Sequence, residues 1–330
     1  MRPSPRAART LSGPRGELTS VAPRSEKREH GYHRRVRSLE TSAPTRIDLA
    51  GGTIDIWPLY LFHPGAQTLN AAISIRARAR IESRTDERIE IRSLDTGASV
   101  SADHWRDLRH EPGLRLLSLL VHFFEVSGIT LTTTSESPAG AGIAGSSALN
   151  VAVSAALAAW KRVHYEPEAL LEIAQNVEAQ TINVPTGLQD YRPALYGGIA
   201  ALELDVDGVR RVPIDVDPTE LERRIVLCYT GEPRNSGTNN WEITKKHIDG
   251  DRYVFDCFER IRDTAADMRQ SLTRGDWDVA SESGTASVRV VRSAKQVEAR
   301  AMDSSGKWQE ADERPLFPDG VRGPTVKRLG

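Results

Sequence analysis

The chain has 330 residues, is 39% hydrophobic and 27% charged, and carries a formal net charge of −1, the makeup of a soluble globular protein long enough for two domains. Near-neutral charge argues against nucleic acid or an acidic membrane surface as the main partner. The longest apolar run, Val151–Trp160, is interrupted by Ser154 and falls far short of the roughly 20 residues that span a bilayer, while Cys228 and Cys257 make neither a disulfide framework nor a metal knuckle, so a reducing, cytoplasmic setting fits.

Residues 1–42 are rich in Arg, Ser, Pro and Gly and show neither strand nor helix periodicity, which predicts a disordered basic extension. From Ala43 the character changes. Ile47, Leu49 and Ala50 predict a buried strand running into Gly51-Gly52 and an acidic turn at Asp55. Arg46, Asp48 and Asp55 along it point to a polar site, because buried charges are costly without partners. Ala71–Arg92 alternates, with Ile73, Ile75, Ala77, Ala79 and Ile81 on one face and Ser74, Arg76, Arg78 and Arg80 on the other. A polar turn at Thr85–Glu87 and then Ile89 and Ile91 make this a half-exposed hairpin, its arginine row a solvated face. Leu114–Val126 has helical spacing and stops at Gly128.

A β-branched run, Ile129–Thr134, then meets Pro138, turns through Gly140, Gly142 and Gly145, and opens at Ser146-Ser147 into an Ala/Val/Leu-rich helix. A strand, a glycine loop and a helix N-terminus in that order present unpaired backbone N–H groups at the positive end of a helix, where phosphate binds well. Ser146 adds a hydroxyl within reach of a metal ion. The loop is not a Walker A motif, since no Lys-Ser/Thr pair follows the last glycine. Pro167–Thr181 predicts a second helix, broken by Pro185 and Gly187, with Glu178 near its C-terminal end. Asp190 follows, just before Tyr191–Gly198, where Pro193 suits a first helical turn. Arg224–Thr230 reads as a second buried strand, Arg234–Gly237 as a polar loop, and Thr238–His247 and Tyr253–Thr273 as helices. Beyond Asp278 no apolar period is sustained.

Taken together, PTRIDLAGG, PAGAGIAGSSA and GLQDYRPALYGG, in that order and spacing, resemble the GHMP small-molecule kinases, and the first of them together with CYTGEPRNSGTNNW is most similar to the branch that includes the heptose 7-phosphate kinases. The resemblance covers about residues 43–278. It implies an α+β, two-domain fold. Residues 43–205 would be a β-rich N-terminal domain with a left-handed βαβ unit holding ATP, and residues 206–278 part of a ferredoxin-like domain. Carried over by motif, Pro138, Gly140, Gly142, Gly145, Ser146 and Ser147 would wrap the triphosphate. Ser146 and Glu178 would hold Mg2+. Asp190 would be the acid beside the acceptor hydroxyl, with Arg46 aimed at it and at the γ-phosphate. Asp55 would hold sugar hydroxyls, and Arg234 is a candidate for recognising a phosphate already on the acceptor.

Two departures stand out. Where the family loop usually reads Gly-Leu-Gly-Ser-Ser, this chain has Gly142-Ile143-Ala144-Gly145-Ser146, so Ala144 adds a methyl and Gly145 lacks a hydroxyl. The third family motif, a glycine-rich loop late in the second domain, has no counterpart in residues 279–330, which the reading treats as a disordered tail foreign to the fold, as in a truncated or frame-shifted kinase. The implied activity is ATP-dependent phosphoryl transfer to a sugar or sugar phosphate. Alternatives are a nucleotide- or sugar-binding pseudokinase and a kinase of non-sugar alcohols. Partners would be a small-molecule substrate and neither nucleic acid nor membrane.

Overall fold

The computed structural model describes residues 37–227, 229, 236–277, 300–302, 308–310 and 325–329. The strand on which the others are hung is β2 (Gln67–Ser83), 17 residues long. β1 (Ser38–Ala50) runs antiparallel along one side of it, from Ser38 opposite Glu82 to Ala50 opposite Leu69. The other side is divided. β6 (Ile199–Asp205) takes residues 67–71 and β5 (Ile129–Ser135) takes residues 77–83. β3 (Ile89–Ser93) lies parallel to β5 and β4 (Ser99–Ala102) antiparallel to β3; β7 (Gly208–Pro213) flanks β6, and β10 (Thr325–Leu329) flanks β1, making one sheet of eight strands.

This topology corrects the expected hairpin. The alternation identified β2 and β3 as strands, and Ala77, Ala79 and Ile81 are buried while Arg78 and Arg80 are exposed. The two do not pair with each other, because β5 lies between them. The register explains why this is tolerated. Ile81 and Ile89 sit at the level of Leu131 and Ile129 of β5, so inserting it keeps one apolar face continuous. Alternation fixes which face a strand buries but not which neighbour it takes. The arginines of the other face are ion-paired, Arg78 with Glu136, Arg80 with Glu82, and Arg84 with Asp86 and Glu90.

Helices α1 (Arg115–Phe123), α2 (Gly145–Lys161) and α3 (Pro167–Ile182) cover the apolar face. The contact is made by small residues. Ala148, Ala152 and Ala156 of α2, four residues apart and hence on one helix face, are fully buried in the same core as Ala43, Ala77 and Ala79 of β1 and β2. Methyl against methyl lets α2 lie close to the sheet. The Thr41 hydroxyl donates to the Ala152 carbonyl at 2.7 Å, and Asn150 Nδ2 donates to the Ala174 carbonyl of α3 at 2.7 Å.

A short helix, α4 (Tyr191–Tyr196), leads into β6. After β7 come α5 (Pro218–Glu222), α6 (Ser236–Ile248) and α7 (Arg252–Arg274). Ala265, Met268 and Leu272 of α7 share a core with Leu69 and Ile73 of β2. His63, fully buried, joins Glu259 of α7 at 2.5 Å and His247 of α6 at 2.8 Å.

Three further expectations change. β1 begins at Ser38, not Ala43, because Leu39 and Thr41 are buried and carry the alternation into the segment read as disordered. The strand expected at Arg224–Thr230 is not formed by residues 224–227: Ile225 is buried, but Val226 and Leu227 are exposed and the chain turns out of α5. In the segment read as a disordered tail, residues 325–329 are β10, and β8 (Arg300–Met302) pairs with β9 (Trp308–Glu310); the rest of residues 279–330 lies outside the described residues.

Gly51, where β1 ends, has φ +80°, and a Cβ there would stand 2.1 Å from the Gln67 carbonyl oxygen of β2. Both the conformation and the space exclude a side chain. Gly51→Ala is expected to destabilise the protein by at least about 2 kcal/mol, read as a lowered midpoint in urea unfolding.

Candidate active site

The site begins with an irregularity along β1. Its pairing with β2 slips between Pro44 and Arg46: β2 bulges through residues 73–75 opposite the single residue Thr45, whose buried hydroxyl donates to the Ile75 carbonyl at 3.0 Å. Such bulges re-aim side chains next to active sites. Here it frees the Arg46 N–H, which leaves the ladder and donates to the Ile143 carbonyl of the glycine loop at 3.1 Å. The Arg46 guanidinium donates to the Gly142 carbonyl at 3.0 Å and to Asp190 Oδ1 through Nε at 3.0 Å, with a second contact to the same oxygen, and Nη1 lies 3.1 Å from Asp48. β1, the loop and the start of α4 are thus joined through one side chain. Burial alone would lower the Arg46 pKa, but Asp190 and Asp48 hold it above the ordinary arginine value.

The loop is shaped by left-handed backbone. Gly140 and Gly142 have φ +71° and +77°, and Ala144, the residue before α2, has φ +60°. Nothing lies within 4 Å of where a side chain at Gly142 would begin. At Gly145 a Cβ would come 2.8 Å from the Ser137 hydroxyl, so in this chain the buried Ser137 takes the room that a residue-145 side chain would need. Ser146 and Ser147 open α2, and both aim at Glu178 of α3: Ser146 Oγ donates to Oε1 at 2.7 Å and Ser147 Oγ to Oε2 at 3.0 Å. Burial raises the Glu178 pKa above the ordinary carboxylate range, the serine hydroxyls pull it down, and the Asp190 charge adds to the rise.

These residues line one cavity of about 800 Å³, bounded by Arg46, residues 137–142 and 144–147, Glu178, residues 184–187, Asp190, Tyr191 and Asn240 of α6. All six expected triphosphate residues, Pro138, Gly140, Gly142, Gly145, Ser146 and Ser147, are on its wall, together with Glu178, Arg46 and Asp190. Asn240 was not among the sequence candidates, although it falls in CYTGEPRNSGTNNW, the segment similar to the heptose 7-phosphate kinase branch. Asp55 is set behind the cavity, 1% exposed, with Oδ2 accepting the N–H groups of Leu188 at 2.5 Å and Gln189 at 2.8 Å. Burial first, then the Asp190 charge, pushes its pKa up to about 7 against the pull of those two hydrogen bonds. Arg234 lies outside the described residues.

The donor set fits magnesium. Glu178, Ser146 and Ser147 are hard oxygen ligands, and Glu178 is a buried carboxylate whose contacts are hydroxyls rather than a cation. Mg2+ is commonly held by one or two carboxylates with phosphates and water filling the rest. Accordingly, no group of three or more His, Cys, Asp or Glu among the described residues could hold a metal alone. No described helix is long and apolar enough to cross a membrane.

Residues 114–198 match the model of the GHMP kinases N terminal domain, which spans α1, β5, the glycine loop and α2 to α4. A D-glycero-alpha-D-manno-heptose 7-phosphate kinase of Campylobacter jejuni is 26% identical over 261 residues, 75% of each chain. A galactokinase of Chloroflexus aurantiacus is 26% identical over 199 residues, 57% of this chain and 48% of that one. The crystal structure of a D-glycero-D-manno-heptose 1-phosphate kinase from Bacteroides thetaiotaomicron superposes with a TM-score of 0.62 at 24% identity, over 74% of this chain and 76% of that one, which shows a shared fold.

Two outcomes follow from the local strain and charge. Ala144 holds a conformation that costs a non-glycine residue about 1 kcal/mol, so Ala144→Gly should raise the melting temperature by about 2–4 °C. Asp55 has a folded pKa of about 7 against an ordinary 3.8, so the folded state keeps a proton that the unfolded chain releases. Stability from this group is greatest below pH 4 and is lost as pH rises to 7. Asp55→Asn should therefore gain on the wild type as the pH of thermal melts goes from 5 to 8, and a constant difference would count against an ionising, buried Asp55.

Proposed function

We propose, from the premise that this chain carries a GHMP kinase N-terminal domain over residues 114–198, that it transfers the γ-phosphoryl group of ATP to a hydroxyl of a sugar or sugar phosphate of the heptose phosphate kind. The observation that carries this reading is the convergence on one cavity of a glycine loop at a helix N-terminus, a serine–glutamate pair, and the Arg46–Asp190 pair. The kinships to sugar kinases support the acceptor class.

Phosphoryl transfer needs in-line positioning and neutralisation of phosphate oxygens more than covalent help. The N–H groups from Gly140 to Ser147 would donate to the phosphates, helped by the dipole of α2. Ser146 and Glu178 would hold magnesium, which when bound neutralises charge developing on the phosphate oxygens. Arg46 would add a fixed positive charge between the loop and Asp190 without reorganising, since its backbone and side chain are both tied to the loop. Asp190, whose side chain is 30% exposed where those of its neighbours are enclosed, would orient the acceptor hydroxyl and take its proton late. Arg234 remains the candidate for a phosphate already on the acceptor.

A second reading, nucleotide binding with little turnover, is favoured by one feature: residues 279–330 contain no glycine-rich run to close over the phosphates. ATP consumption measured over hexoses, heptoses and their phosphates separates the two. Turnover with a sugar or sugar phosphate is expected, falling roughly 10²- to 10⁴-fold in Asp190→Asn. ATP that raises the melting temperature yet is consumed with none of them would establish the binding reading instead.

A further inference from the structure

Asp190 stands at the entry to α4, but its side chain makes no capping bond to that helix and goes to Arg46 instead. Some other group must therefore fix the backbone that delivers it. The two residues before it are held by Asp55, whose Oδ2 accepts both the Leu188 and the Gln189 N–H groups from a position 133 residues earlier in the chain. Gly187 completes the fit. A Cβ at that position would stand 2.2 Å from Asp55 Oδ2 and 2.8 Å from its Cγ, so the glycine is required by the carboxylate lying against it. At 1% exposure, Asp55 offers almost no surface to a ligand.

We propose that Asp55 is a positioning residue: by gripping two consecutive N–H groups, it sets the segment 187–189 so that the Asp190 carboxylate meets both Arg46 and the acceptor hydroxyl. It makes no contact with the acceptor itself. This rests on the reading of Asp190 as the acid that orients the acceptor. The physical case is that two donors on one carboxylate oxygen fix both the place and the direction of a short segment. Asp55 retains its charge-bearing group in a buried place beside Asp190 and Asp48, whose charges oppose its ionisation. Burying a carboxylate there is a cost that packing alone does not explain. A reacting group displaced by about 1 Å can lose about 10²-fold in rate.

The test uses the full chain with Asp55→Ala, Asp55→Asn, Gly187→Ala and the Asp55→Ala/Gly187→Ala double variant. In Asp55→Ala, amide exchange at Leu188 and Gln189 should quicken about tenfold or more. On the best sugar acceptor, kcat should fall about 10²-fold with acceptor KM within about threefold. Asp55→Asn, which keeps one acceptor oxygen, should recover part of kcat. Gly187→Ala should impair the wild type but add little in the Asp55→Ala background, because the atom it would strike has gone. Unchanged exchange at both amides, additive effects of the two alanines, or a raised acceptor KM with kcat retained would overturn the proposal, the last by making Asp55 a direct acceptor ligand. A wild-type chain inactive on every sugar would sink the phosphotransferase reading, while exchange and the thermal stability of the four variants would still decide on Asp55.

Discussion

The Arg46 guanidinium lies between Asp48 and Asp190, within the field of Asp55, and donates to the backbone of the glycine loop. Three carboxylates around one buried cation leave the neighbourhood short of positive charge, and the consequences run outward from there. Burial first, and then the Asp190 charge, pushes Asp55 toward neutrality, and burial and Asp190 push Glu178, one element away, in the same direction. Removing one partner of a buried pair typically costs about 3–5 kcal/mol, because the other charge is left uncompensated. Arg46 is therefore a structural link as well as a charge in the cavity: its side chain joins β1, the loop and the start of α4.

Much of this was legible in the chain because it is written locally. The glycine loop declares itself by a β-branched run, then Pro138 and three glycines, then an alanine-rich helix; the structure forms that strand, loop and helix over the same residues. Arg46 and Asp190 belong to two motifs 144 positions apart; the resemblance implies that the first is aimed at the second, and they meet. What stayed hidden depends on pairing and on space. The hairpin of β2 and β3 failed because alternation is a property of a strand by itself, whereas the choice of neighbour is settled by β5 packing between them. β6 and β7 went unread, their short apolar run Ile199–Leu204 and charged Val209–Val212 giving weak strand patterns next to a Gly-Gly turn.

Asp55 illustrates a different limit. The motif pointed to it as a holder of sugar hydroxyls, whereas its side chain lies behind the cavity wall, bonded to backbone N–H groups. Its two bonds to backbone N–H groups could not be read from sequence, because backbone donors carry no residue signature. Gly187 had been taken as a helix breaker; it is also the gap that admits a carboxylate from a distant turn. Asn240 likewise reaches the cavity through long-range packing, α6 against α7 and α7 against the sheet, an arrangement that includes the buried link of His63 to His247 and Glu259.

The alanine stripe on α2 has a bearing on how a guest would be received. Methyl groups buried in the same core as Ala43, Ala77 and Ala79 have no alternative rotamers to explore. The end of α2 that faces the cavity is in effect a cast surface: it neither sinks nor swings to suit what arrives. Recognition on that side must then be selective by shape, with little ordering left to be done when a nucleotide docks, and any accommodation of differing acceptors falls to the opposite wall.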